Sequence, residues 1–261
     1  MSRKKKLVDI LVLIALLVIA ACVTVSFSVS KVVSILLFFG LPCAYLIWKD
    51  LSTFKKSLIF ASLFSIPLSV FVDTFAVFDG GWYVPHSIIP YRLFGVATFE
   101  VWLFGLLWVL FAVLFYEYFF DHHRASDWFP KIYRKLLWLF ALLVIGVTAT
   151  YLIKPSLLII PYFYTWFSII FVVPPLIWFL VRRQKFLPRF VLIGSYFFVV
   201  LLVYEIVALY VGLWNFPGVH FIGWVKIFGQ SFPLEELIFY MVFATPSFLA
   251  YYEYFADNMK L

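Results

Sequence analysis

Two carboxylates stand side by side in Phe232-Pro233-Leu234-Glu235-Glu236-Leu237, at the start of the last long apolar run. Pro233 suits a first helical turn, where its missing N–H is not needed, and acids in that turn meet the positive end of the helix dipole. A capped helix start would account for that much. The run that follows is apolar enough to lie in lipid, and ionisable groups at the edge of a bilayer core are costly and functional by default. Adjacent carboxylates in a poor dielectric cannot both ionise cheaply, so one of Glu235 and Glu236 is expected to keep its proton at neutral pH. Such a group is a general acid, and its ionised neighbour is a base. A cation nearby, Lys226 or His220, would hold the second carboxylate ionised. The pair could then protonate an apolar, electron-rich substrate dissolved in the membrane. Aromatic faces stabilise cations without reacting as nucleophiles, and the chain is 23% aromatic, with 34 Phe, 16 Tyr and 10 Trp. Lipid-facing Phe and interfacial Trp and Tyr would give the same composition.

The elements that must hold these acids are membrane spans. The chain is 66% hydrophobic and only 13% charged, with a mean hydropathy of +1.06, whereas about a quarter of an ordinary soluble domain is charged. A span needs about 20 mainly apolar residues. Eight runs qualify: 7–29, 32–48, 57–78, 98–120, 136–153, 157–181, 190–211 and 233–255. The expected fold is therefore all-α, a polytopic membrane helical bundle. With both termini cytoplasmic, every Lys and Arg except Lys31, Arg92, Lys154 and Lys226 falls on the inner side, so the basic residues set topology in the cell membrane and nucleic-acid binding is not needed to explain them. Cys22 and Cys43 lie in apolar runs and imply no disulfide framework. Arg3 to Lys6 followed by an apolar stretch ending Ala20-Ala21-Cys22 also has the form of a lipoprotein signal peptide, but the run stays apolar past Cys22, which favours an uncut span.

The second half of the chain answers the first. Asp73 to Trp82 is the same interval as Glu205 to Trp214, and His86 to Gly95 the same as His220 to Gly229. Between them Ile88 answers Ile222, Arg92 answers Lys226 and Phe94 answers Phe228. Glu100 to Glu117 matches Glu236 to Glu253, and Tyr116-Glu117-Tyr118-Phe119 matches Tyr252-Glu253-Tyr254-Phe255. This reads as a duplicated four-helix unit: residues 1–121 and 136–261 as two parallel membrane repeats, with 122–135 as a cytoplasmic linker. The repeat sorts the acids into two tiers about 25 Å apart along the helices. An outer tier holds Asp73, Glu100, Glu205, Glu235 and Glu236, with His86, His220, Arg92 and Lys226 close by. An inner tier, Glu117, Asp121, Glu253 and Asp257, reads mainly as interfacial helix ends. Glu117, Asp121, His122 and His123 have ligand-type side chains, but the second copy has no histidine there and metal sites need three or four ligands, so no metal is expected.

No Gly-x-Gly-x-x-Gly or P-loop is present, so no nucleotide cofactor is expected. There is no Asp-rich diphosphate motif, no mid-span lysine for a retinal Schiff base, and no histidine-box set. In order, the residues resemble the membrane lycopene cyclase family, the flavin-independent carotenoid cyclases. The second half carries Glu205, Gly212-Leu213-Trp214, Pro233-Leu234-Glu235-Glu236 and Tyr252-Glu253; the first carries Asp73, Gly80-Gly81-Trp82, Glu100, Trp102-Leu103-Phe104 and Tyr116-Glu117. In place of the second Pro-Leu-Glu-Glu the first half has Ala97-Thr98-Phe99-Glu100, and the chain begins with one span more than the family unit. The resemblance implies a cofactor-free isomerisation of a membrane-dissolved carotenoid: an acid protonates the terminal double bond, an internal double bond attacks the cation, and a base leaves a β-ring. It implies Glu235 and Glu236 as acid and base, Glu100 as their counterpart, and Asp73, Glu205, His220 and Lys226 as tuning groups, with His86 and Arg92 beside them. The alternatives are a family member acting on another polyene end group and a proton-coupled transporter or small-molecule carrier, since internal repeats with intramembrane acids also describe carriers. Against a carrier, the spans carry no unwound Gly/Pro interruption matched at mid-membrane in both halves.

Overall fold

The computed structural model describes residues 3–121 and 131–255. Seven helices are long and apolar enough to cross a membrane, which marks a polytopic integral membrane protein. They are α1 (Arg3–Phe27), α2 (Lys31–Ile35) continued by α3 (Leu41–Lys49), α4 (Phe54–Phe78), α5 (Phe99–Phe119), α6 (Lys131–Ile153), α7 (Phe163–Phe167) continued by α8 (Val173–Arg182), and α9 (Leu187–Tyr210). The last apolar run is helical too, as a π segment Glu236–Ala244 followed by α10 (Thr245–Phe255). The stretch expected as a linker is already helical from Lys131.

Proline explains the breaks within spans. Three π segments, Leu36–Gly40, Ser168–Val172 and Glu236–Ala244, each run up to a helix whose second residue is proline: Pro42, Pro174 and Pro246. Proline has no N–H for the carbonyl four residues back, and its ring pushes that carbonyl away. The preceding turn widens, and the Leu41 and Val173 N–H groups reach back five residues to Leu36 and Ser168. The spans are thus interrupted after all, and the breaks before Pro42 and Pro174 occupy matching places in the two halves.

The core is built around α5. Two-thirds of its apolar window (67%) is buried, against 22% for α1 and 6% for α6. Trp108 to Phe119 are all buried. Ring contacts fill the centre: Phe104 stacks on Tyr204 and lies 6.2 Å from Tyr240, and the Trp108 indole donates to Thr245 Oγ1 at 3.0 Å.

One end of the bundle carries two long loops. The second contains a two-stranded antiparallel hairpin, β1 (Trp224–Ile227) and β2 (Gln230–Pro233), so the chain is not purely α. Its turn, Phe228-Gly229, has positive φ at both positions, the twist that two-residue hairpins need. Phe94-Gly95 in the first loop has positive φ at both positions as well, next to a bridge between Leu93 and Ala97. The two loops meet where Tyr83 and Asn215 exchange backbone hydrogen bonds of 2.9 and 3.0 Å.

The opposite end corrects the reading of the inner acids as interfacial. Glu117 is 1% exposed and Glu253 4%. Tyr116 donates to Glu253 and Tyr252 donates to Glu117, while Lys56 Nζ lies 3.2 Å from Glu117. Asp9 accepts from Tyr45 and Tyr118 at 2.6 Å and pairs with Lys49 at 3.1 Å. These are buried, hydrogen-bonded networks rather than solvated helix ends. His122, His123 and Asp257 lie outside the described residues.

Candidate functional site

Asp73, Glu100, Glu205, Glu235 and Glu236 are all buried, and each accepts hydrogen bonds: the first three from the adjoining loops, the last two from Thr165 and Tyr164 on α7. Asp73 on α4 accepts the Trp82 indole N–H at 2.5 Å and the Thr98 backbone N–H at 3.2 Å. Glu205 on α9 accepts the Trp214 indole at 2.9 Å. Each pair closes a helix onto the loop that follows it.

Glu100, at the start of α5, is completely buried and has both oxygens occupied. Ser87 Oγ lies 3.0 and 2.8 Å from them, and the Ile88 N–H donates at 2.6 Å. Glu235 is held in the same way on one side only: its Oε1 accepts the Ile222 N–H at 2.7 Å and Thr165 Oγ1 at 3.0 Å. Its Oε2 is buried with no hydrogen-bond partner among the described residues. By these contacts Glu235, rather than Glu236, is the counterpart of Glu100. The π segment explains the shift in register, because a π turn is an α-helix carrying one extra residue. Glu236 follows, 2% exposed, and accepts the Tyr164 hydroxyl at 2.7 Å.

The two adjacent acids therefore look in different directions. Glu235 lines an apolar cavity of ≈ 100 Å³, walled by α4, α5, α7 and the π segment. Trp82, Phe104, Trp108, Phe163, Tyr164 and Tyr240 contribute ring faces or edges to it. Glu236 lines a smaller neighbouring space that also contains Glu205, Trp214 and Lys31. Lys31 is 7% exposed, with its ammonium 4.9 Å from the centre of the Trp214 ring. It is in electrostatic reach of Asp73, Glu100 and Glu205, and it also borders a more polar pocket with His86, Ser87 and Glu100. A lysine among three buried carboxylates offsets charge that would otherwise be uncompensated.

The other expected basic groups take different places. His220 Nδ1 lies 2.7 Å from Asp79 Oδ1, away from the Glu235–Glu236 pair. Lys226 is exposed on β1. Arg92 donates to the Val84 carbonyl at 2.7 Å and stacks over Tyr83. His86 is exposed at the rim of the polar pocket. The charge partner at the centre is thus Lys31, which sequence reasoning treated as an outer-loop residue. Its signal was its position on the wrong side of the positive-inside distribution, beside the outer acids. Tyr164 and Thr165 gave no signal, since only packing brings α7 against the π segment. No group of three or more His, Cys, Asp or Glu suited to a metal occurs among the described residues.

In comparisons with known proteins, no family model matches the chain, and neither a curated protein nor a solved structure matches it significantly. The resemblance to membrane lycopene cyclases rests on the ordered residues themselves.

Proposed function

We propose that this chain is a membrane enzyme of carotenoid biosynthesis, a lycopene cyclase-like isomerase that closes lycopene-type end groups into β-rings. The observation that carries the proposal is that Glu235, buried in the wall of an aromatic, apolar cavity, has one oxygen with no hydrogen-bond partner among the described residues. The other oxygen of that carboxyl group is anchored by two donors, which leaves this one to carry the proton that is given up. Protonation of the terminal double bond gives a tertiary cation, which ring faces such as Trp82, Trp108 and Tyr240 stabilise without trapping it. The internal double bond then attacks, the ring closes, and a proton leaves to a base. The base is Glu236, reached through Tyr164, which lines the cavity and whose hydroxyl donates to Glu236. One proton enters and one leaves, so substrate and product have the same composition and no electron carrier is required.

We infer further that the fold is two parallel four-helix repeats, with both termini cytoplasmic by the distribution of basic residues. Reciprocal contacts support the repeat, because a two-fold relation makes residue i touch j where j touches i. Tyr83 with Asn215 behaves so at the loop end, and Tyr116–Glu253 with Tyr252–Glu117 at the other. The matched π turns and the two Phe-Gly turns agree with it.

Expression in a host that accumulates lycopene tests the enzyme reading. The pigment should shift from acyclic to β-ringed products on chromatography. No rings, despite good expression and available lycopene, would overturn it. A proton-coupled carrier is the second reading, and the matched proline breaks in two spans favour it. Protein-dependent proton uptake in liposomes, with no ring formation by the same preparation, would select the carrier.

A further inference from the structure

The cavity beside Glu235 does not end at the acid. At its far side it shares Leu68, Phe167, Val172 and Phe248 with a second apolar space of ≈ 260 Å³. That space continues along α4, α6 and α10 to Leu136 and Phe255. From Glu235 to Phe255 the lining follows one helical run, on the order of 25 Å at helical rise. Its outer wall is α6, only 6% of whose apolar window is buried. Leu139 and Leu143 line the space while remaining 52% and 39% exposed, so the groove is open sideways to lipid. Where the π segment Ser168–Val172 approaches α10, Tyr251 donates to the Phe171 carbonyl at 3.0 Å and closes the other flank.

We propose that this groove is a binding subsite for the tail of a long, linear, apolar polyene whose end group lies at Glu235, and that the ligand enters from the bilayer beneath α6. The proposal rests on the reading of Glu235 as the acid of the reaction. A single occupant is favoured because the two spaces share walls, and because one end is marked by a carboxyl group while the rest offers nothing polar to bind. A short substrate would fill the Glu235 cavity alone. A long one must place its remainder somewhere, and this groove is where the apolar lining continues. A lipid acyl chain could also cover an apolar groove, but it has no reason to share a ligand's length dependence.

Leu143→Trp narrows the groove well away from Glu235, and Leu152→Trp on the same helix, at a position 74% exposed, is the control. In nanodiscs, the affinities of a full-length acyclic polyene and of one about half as long with the same end group are measured by absorbance titration. Leu143→Trp should weaken the full-length ligand about tenfold relative to the short one, about 1.4 kcal/mol, and Leu152→Trp should leave the ratio unchanged. An unchanged ratio in Leu143→Trp, or equal loss for both ligands, overturns the subsite and leaves the groove to lipid. Ring formation is scored on the same preparations. If the unmodified protein makes no rings while the length-dependent loss of affinity holds, the cyclase reading falls and the subsite stands. If rings form and the length dependence is absent, the reverse is true.

Discussion

Glu100 and Glu235 begin as the same device and end as different ones. Each sits at a helix start, each is buried, and each accepts the backbone N–H of an isoleucine in the preceding loop, Ile88 or Ile222. Around Glu100 the device is closed, because the Ile88 N–H serves one oxygen and the Ser87 hydroxyl reaches the other. Around Glu235 one oxygen has no partner among the described residues. The difference follows from side-chain size. Ser65, Ser69 and Val72 line the cavity from α4. At the spacing that separates Trp82 from Trp214, α9 has Phe197, Leu201 and Tyr204 in their place. Gly105 of α5 lines it too, and Met241 stands where Glu117 and Glu253 correspond. In the closed half Tyr204 packs against Phe38 and Phe39, with ring centres 5.0 Å apart in both cases. The surroundings of Glu100 are a packed core and those of Glu235 a cavity. In the duplicated scaffold proposed above, one working site suffices and the second copy supplies rigidity.

The sharpest way to break that comparison is to neutralise each acid in turn. Glu235→Gln keeps the shape and loses the proton, so ring formation should fall by about 10² to 10⁴, the usual worth of general acid catalysis. Glu100→Gln should retain most of the rate per folded molecule. Product chromatography normalised to membrane-inserted protein separates the two, and equal losses would mean that both halves act. Lys31→Met removes the cation that the acids at this end share. It leaves buried carboxylates uncompensated, at a cost of about 3–5 kcal/mol, and should show as a clear drop in the unfolding midpoint in detergent. If the midpoint does not move, the acids at this end are not held by Lys31. Val72→Tyr gives the open half the residue of the closed one. Overpacking of this sort costs about 1–3 kcal/mol. Cyclisation should be lost while the protein still inserts and elutes as a single species on size exclusion. Retained activity would show that the cavity is not where the end group lies.

Much of the fold was legible because lipid imposes a simple rule. Every backbone polar group in a span must be satisfied within the span, so long apolar runs become helices, and the expected spans match the observed helices closely. The interval patterns around Asp73–Trp82 and Glu205–Trp214 were equally legible, and both pairs are hydrogen-bonded. The π turns were not foreseen, although the prolines that cause them, Pro42, Pro174 and Pro246, were in plain sight. Their effect depends on how the preceding carbonyls are re-satisfied, which is a matter of three-dimensional pairing. The inner acids looked like helix ends because position along a span says nothing of which face a side chain takes. Tyr116 and Tyr252 cover Glu253 and Glu117 only once helices from the two halves lie together.

Local composition and interval are enough to make the chain helical and membrane-embedded and to gather acids at span ends. Only the tertiary structure decided that Glu235 keeps a free oxygen, that Glu236 turns to Tyr164, and that Lys31 rather than Lys226 lies among the carboxylates. Those outcomes depend on which distant side chain arrives first at each buried oxygen, and burial leaves no water to make up the difference.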